Sequence, residues 1–204
     1  VAKLTYNEVP AGFSYAGRRI ADHVLVGITG TAGSGKTTAA RIMCDRYDFY
    51  RVRIAEPIKR MARALGLTHD QVDGPLKEIP LDELCGRTPR YVMQTLGTEW
   101  GRRMIGEDIW VRVAEKEIGR LMTNGVSVVV DDVRFPDEAV MIKKLGGAMV
   151  RVENTLITKS TAHESELHIF NIEVDYVIVN GGSIADLCIG VEGVVSSLFV
   201  RRVL

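Results

Sequence analysis

The residues with the clearest capacity for chemistry are Gly30-Thr31-Ala32-Gly33-Ser34-Gly35-Lys36-Thr37, which match the pattern G-x-x-x-x-G-K-[ST]. Without a Cβ, Gly30, Gly33 and Gly35 let the backbone turn so that its N–H groups converge on an anion. Ala32, Ser34 and Thr38 complete the candidate phosphate-binding set. Lys36 brings a point charge to the β and γ phosphates of a nucleotide, Thr37 offers a hydroxyl to Mg²⁺, and the helix that follows aims its positive end at the same place. A second chemical group closes the run Val126-Ser127-Val128-Val129-Val130, where Asp131 and Asp132 stand at a strand end. Acids there suit the metal-organising role found in phosphate-loop enzymes, so Thr37, Asp131 and Asp132 form the candidate metal set. Capping of the next helix is the structural alternative.

These groups need a scaffold, and the hydrophobic pattern supplies one. Val24 to Ile28 is a β-branched and aliphatic run before the loop, and Thr38 to Met43 forms a helix after it. Phe49 to Ala55 alternates as a strand. Pro57 opens a helix from Ile58 to Leu65 that Gly66 should end, with Lys59 and Arg60 in its first turn, just beyond a strand end where a phosphate can bind. Residues 67 to 88 are polar and turn-rich and read as a mobile insertion. Pro89 starts a helix on which Tyr91, Met93, Leu96, Trp100, Met104 and Ile105 can gather on one side. Arg90 and Gln94 lie four apart on it and can face one cleft, able to take a phosphate and a base edge. Further helices span Ile109 to Met122 and Asp137 to Leu145, and further strands Val126 to Val130, Ala148 to Val152 and Tyr176 to Asn180. Ser183 caps a last helix. Strands alternating with helices predict an α/β fold, a three-layer sandwich around a five-stranded parallel sheet.

Composition narrows the partners. The 204 residues suffice for one buried core, so residues 23 to 204 are expected to form a single domain after an extension of residues 1 to 22. Twenty-six basic residues balance twenty-six acidic ones, which disfavours a nucleic acid polymer as ligand. No apolar run approaches the roughly 20 residues that cross a bilayer, and no secretory signal is evident. Cys44, Cys85 and Cys188 are widely spaced, and His23, His163 and His168 scattered, so reduced cytoplasmic thiols are expected rather than disulfides or a metal cluster. Leu198, Phe199 and Val200 leave open whether the last helix buries against the sheet or in a homodimer.

Several patterns then agree with one family. Ala55-Glu56-Pro57-Ile58-Lys59, the stretch from Arg90 to Arg102, Asp108-Ile109-Trp110 and Asp132-Val133-Arg134-Phe135-Pro136-Asp137-Glu138 resemble the deoxynucleoside monophosphate kinases of tailed bacteriophages. The resemblance runs from about residue 24 to residue 190. It implies a fold of the nucleoside monophosphate kinase type, ATP as phosphoryl donor, Mg²⁺, and a deoxynucleoside monophosphate acceptor. It implies too that Arg134 grips the acceptor phosphate and that Arg90, Gln94, Arg102 and Trp110 surround the acceptor, beside which Lys59, from its place beyond a strand end, is the further candidate contact. An acceptor-binding insertion of about 56 to 108 and a lid of about 153 to 172 follow from the same likeness. Where lids of the adenylate-kinase type supply two arginines, this chain offers Arg151 at the lid edge and Lys159 within it. With Lys36 and Arg134, these are the expected catalytic cations. Another small-molecule kinase, of the phosphomevalonate or dephospho-coenzyme A type, and an ATPase without an acceptor are the rival readings.

Overall fold

The computed structural model describes residues 23–155 and 167–200. The expected extension of residues 1 to 22, Lys159 and most of the expected lid lie outside them. The chain divides into two compact units, one made of the residues up to Arg51 and from Glu117 onward, the other of Val52–Lys116.

The first unit is built on a five-stranded sheet in the order β2-β3-β1-β4-β5. Its strands are β1 (Leu25–Thr29), β2 (Tyr50–Val52), β3 (Val128–Val130), β4 (Ala148–Asn154) and β5 (Tyr176–Asn180). β1 and β3 are buried along their whole length, which is why both read as unbroken apolar runs instead of alternating ones. Parallel pairing sets Leu25 opposite Val128 on one side of β1 and Thr29 opposite Arg151 on the other. The chain winds to one side of β1 for β2 and β3, then to the other for β4 and β5. The C-terminal end of β1 is therefore the switch point, where open α/β sheets take their ligands.

Helix α1 (Lys36–Tyr47) follows β1 directly, α6 (Pro136–Lys144) follows β3, and α8 (Ile184–Val200) follows β5. Ala39, Ala40 and Met43 of α1 share one apolar cluster with Val26, Ile28, Val129, Val150 and Ile178 of the sheet and with Leu187, Val191 and Val195 of α8. Leu198 and Phe199 pack against this same cluster, so the end of α8 has its apolar partner within its own chain. The Ser183 hydroxyl accepts from the Asp186 N–H at 3.1 Å, the expected cap of α8. None of the described helices is long and apolar enough to cross a membrane.

The second unit contains α2 (Glu56–Ala64), the short α3 (His69–Val72) and α4 (Pro89–Thr95). Pro57 lies in the first turn of α2, and Gly66 leaves it at φ 90°. Residues 67 to 88 carry more regular structure and packing than their polarity suggested. Leu67 and Val72 are buried with Ala62, and Leu81, Leu84 and Met93 pack against them, so a few spaced apolar residues form a small core of their own. The expected apolar side of the helix after Pro89 is not found. From Leu96 to Ile105 the helix widens to π winding. Because i→i+5 bonding rotates each residue away from its α-helical azimuth, Trp100, Met104 and Ile105 are exposed instead of gathered inward, and Tyr91, in the α-helical turn before, is exposed as well. Helix α5 (Ile109–Thr123) begins in this unit and ends in the other.

Candidate active site

The loop between β1 and α1 takes the conformation its glycines permit, with φ 143° at Gly30, 75° at Gly33 and 106° at Gly35. At Gly30 a side chain would run into the Val152 carbonyl oxygen, and at Gly35 it would come within 2.8 Å of the Asn180 amide nitrogen. The loop is thus fixed from below by β4 and from the side by β5. Asn180 donates to the Ser34 carbonyl at 2.9 Å and accepts from the Gly182 N–H at 3.0 Å, which ties the loop to the start of α8. No side chain caps the start of α1, and no carboxylate lies in its first turn. The positive end of its dipole therefore suits an anion. Lys36 folds back over the loop, donating to the carbonyls of Gly30 at 2.7 Å and Thr31 at 2.5 Å. Ala32, Gly33 and Thr37 lie at the surface, Ser34 is buried, and Thr38 is half-buried.

The end of β3 brings Asp131 to this loop. Thr37 Oγ1 donates to Asp131 Oδ2 at 3.3 Å, across 94 residues of sequence. Asp131 is buried, with 3% of its side chain accessible, and a bare carboxylate there would be costly. Its counter-ion is Arg51 on β2, a residue that no motif singles out. Arg51 Nε donates to Oδ1 at 2.8 Å, and Nη2 makes a short bond to Oδ2. Burial works to lower the Arg51 pKa, but the hydrogen bond and charge of Asp131 outweigh it and hold the pKa above its ordinary value. Removing one partner of such a pair costs about 3–5 kcal/mol when the other stays buried. The only local hint of Arg51 is a cation inside a strand that ends beside the site. Nearby, burial pushes the Cys44 thiol up to about 11, so it stays neutral beside this pair. Asp132 is half-buried next to Asp131.

Arg134 is the exposed residue of the connection between β3 and α6. Its backbone N–H donates to Glu138 Oε2 at 2.7 Å, and that of Phe135 donates to the same oxygen at 3.1 Å. The connection is therefore held by its main chain, while the Arg134 side chain projects from a fixed backbone. Burial raises the Glu138 pKa to about 7 against the pull of those two N–H bonds. The sign follows from linkage. The folded protein holds a proton that the unfolded chain has released, so the stabilisation is complete below pH 4.5 and lost as pH rises to about 7. Glu138→Gln is accordingly expected to flatten the fall in urea midpoint over that interval, and a curve parallel to that of the parent protein would contradict this.

The remaining predicted residues have local partners of their own. Arg151 on β4 donates to the carbonyls of Ile172 at 2.6 Å and Ile169 at 3.5 Å, so its guanidinium ties down the turn that contains α7 (Leu167–Phe170). It is an anchor here. In the Val52–Lys116 unit, Lys59 is engaged by Asp73 Oδ1 at 2.5 Å. Arg63 bridges Asp73 and Glu56 at 2.7 Å each. Burial pushes Asp73 up, yet Lys59, Arg63 and Arg53 together hold it below the ordinary carboxylate value. Arg90 pairs with Glu78 and is exposed, as is Gln94, whereas Arg102 is half-buried in the π segment. Trp110 is only 5% exposed, donates its indole N–H to the Gly97 carbonyl at 2.7 Å and lies against Gly101. Its place is in the packing of the unit, so a direct acceptor contact by the ring is not what the structure presents.

A parallel sheet whose central strand runs into a glycine-rich loop with a lysine, a hydroxyl and an acid from the next strand defines a phosphate-loop enzyme. A family model described as deoxynucleotide monophosphate kinase matches residues 87–191. A protein of Acanthamoeba polyphaga mimivirus described as a deoxynucleotide monophosphate kinase is 35% identical over 176 residues, covering 80% of this chain and 91% of that protein. The deoxynucleoside-5'-monophosphate kinase of Escherichia phage T5 is 35% identical over 57 residues, 28% of this chain and 22% of that one. Among solved structures, a dephospho-CoA kinase from Campylobacter jejuni overlays with a TM-score of 0.49 at 12% identity, covering 85% of this chain and 96% of that one. The chain belongs to the deoxynucleotide monophosphate kinase family and is an ATP-dependent phosphotransferase.

Proposed function

We propose that the protein transfers the γ-phosphoryl group of ATP to a deoxynucleoside 5'-monophosphate, giving the diphosphate. The observation that carries the donor half is the convergence of Lys36, Thr37 and Asp131 at an uncapped helix start. Family membership carries the acceptor half. The acceptor's phosphate oxygen is already a nucleophile, so no general base is required, and catalysis is alignment plus neutralisation of charge on the transferring group.

In this reading the backbone from Gly30 to Thr38 and Lys36 hold the ATP phosphates, Arg134 holds the acceptor phosphate, and Gln94, Arg90 and Arg102 recognise the acceptor nucleotide. Lys59 in its pair with Asp73, and Trp110 in its packed position, support that unit. The role of lid cation is assigned to Lys159, since Arg151 is engaged by the Ile172 carbonyl. The donor set fits Mg²⁺: a hydroxyl and a carboxylate within 3.3 Å are hard oxygen ligands. The described residues contain no group of three or more acidic, histidine or cysteine side chains able to cage a metal. Mg²⁺ is normally held by one or two protein oxygens with the substrate phosphates completing its shell, which is the arrangement Thr37, Asp131 and Asp132 can serve. Bound there, the ion would neutralise charge on the β and γ phosphates.

ADP release measured with a panel of deoxy- and ribonucleoside monophosphates tests the assignment. Release should require a nucleoside monophosphate and be fastest with deoxy forms. Equal release without any acceptor would favour a simple ATPase, and release only with a non-nucleotide acceptor would favour another small-molecule kinase.

A further inference from the structure

We propose that Arg51 is a positioning residue for the divalent cation, acting through Asp131 on the Thr37 hydroxyl. This rests on the reading that Thr37 and Asp131 serve the metal. Both Asp131 oxygens are taken by one guanidinium, Oδ1 by Nε at 2.8 Å and Oδ2 by Nη2, so the carboxylate plane is fixed. Oδ2 is also the atom that accepts from Thr37. A hydroxyl has one proton and two lone pairs, and with the proton committed to Asp131 the lone pairs are left for a cation. Arg51 thus sets the direction of a ligand it does not touch. The guanidinium fork is what allows this. A lysine at the same position could balance the charge but could not hold both oxygens in a plane. The donating residue stands on β2, whose backbone is fixed to the β3 side of the sheet by the 2.7 Å bond from the Tyr50 N–H to the Ser127 carbonyl.

The competing physical expectation has the opposite sign. If Arg51 were only a neighbouring positive charge, its removal would lessen repulsion and tighten cation binding. Mn²⁺ binding to the full chain with ADP, followed by the loss of free Mn²⁺ signal in electron paramagnetic resonance, separates the two. Arg51→Lys and Arg51→Gln should each bind Mn²⁺ about 10–100-fold more weakly, as is typical when a group that orients a metal ligand is lost. ADP binding in excess chelator should be unchanged in both. Arg51→Lys retains the charge that keeps Asp131 compensated, so it carries the test if Arg51→Gln does not fold. Unchanged or tighter Mn²⁺ binding by Arg51→Lys would overturn the proposal. Asp131→Asn and Thr37→Val distinguish its failure from that of the underlying reading. If they also bind Mn²⁺ normally, the metal assignment falls and the proposal with it, whereas if they bind weakly and Arg51→Lys does not, the role of Arg51 alone is refuted.

Discussion

Replacing Lys36 by alanine is expected to lower kcat by about two to three powers of ten, the usual consequence of deleting a fixed donor aimed at developing charge. The ammonium is half-buried and rests on the Gly30 and Thr31 carbonyls, contacts that lie within the loop itself. The effect should therefore fall on catalysis more than on folding. The glycine dihedrals and the Asn180 bond to Ser34, which shape the loop, do not involve the lysine side chain. Steady-state kinetics beside a urea melt checks both parts. Turnover close to that of the parent protein would remove Lys36 from the mechanism, and a collapsed melt would show that its loop contacts are structural.

Arg134→Ala should act on the other substrate. An arginine that grips a phosphate through charge-assisted bonds contributes about 1.5–3 kcal/mol per bond, which predicts a loss of about 10–100-fold or more in kcat/KM for the acceptor. ATP binding in the absence of acceptor should hold. The variant is informative because the connection is fixed by the backbone N–H groups of Arg134 and Phe135 on Glu138, which alanine preserves. Equal weakening of ATP binding, with acceptor use otherwise intact, would place Arg134 on the donor side.

Features set by local rules were readable in the sequence. The glycine pattern, Pro57 and Gly66 around α2, and Ser183 before α8 each act through neighbours a few residues away, and each stands where expected. Thr37 and Asp131 were named from two separate local patterns and meet across 94 residues because parallel pairing of β1 and β3 ends both strands at one edge. What the sequence hid depends on long-range partners. Arg51 looks like any strand cation until β2 takes its place beside β3, and Arg151 is an arginine near a strand end until the Ile169 and Ile172 carbonyls claim it. Trp110 shows the same limit, since an aromatic beside a motif cannot reveal that its N–H is spent on Gly97. The π segment escaped because spacing arguments assume an α-helical period.

The most direct test of the central claim follows the phosphoryl group itself. With ATP labelled at the terminal phosphate and a deoxynucleoside monophosphate present, the label should appear in the deoxynucleoside diphosphate, with little in inorganic phosphate. Label released as inorganic phosphate at the same rate with and without the deoxynucleotide would contradict the assignment.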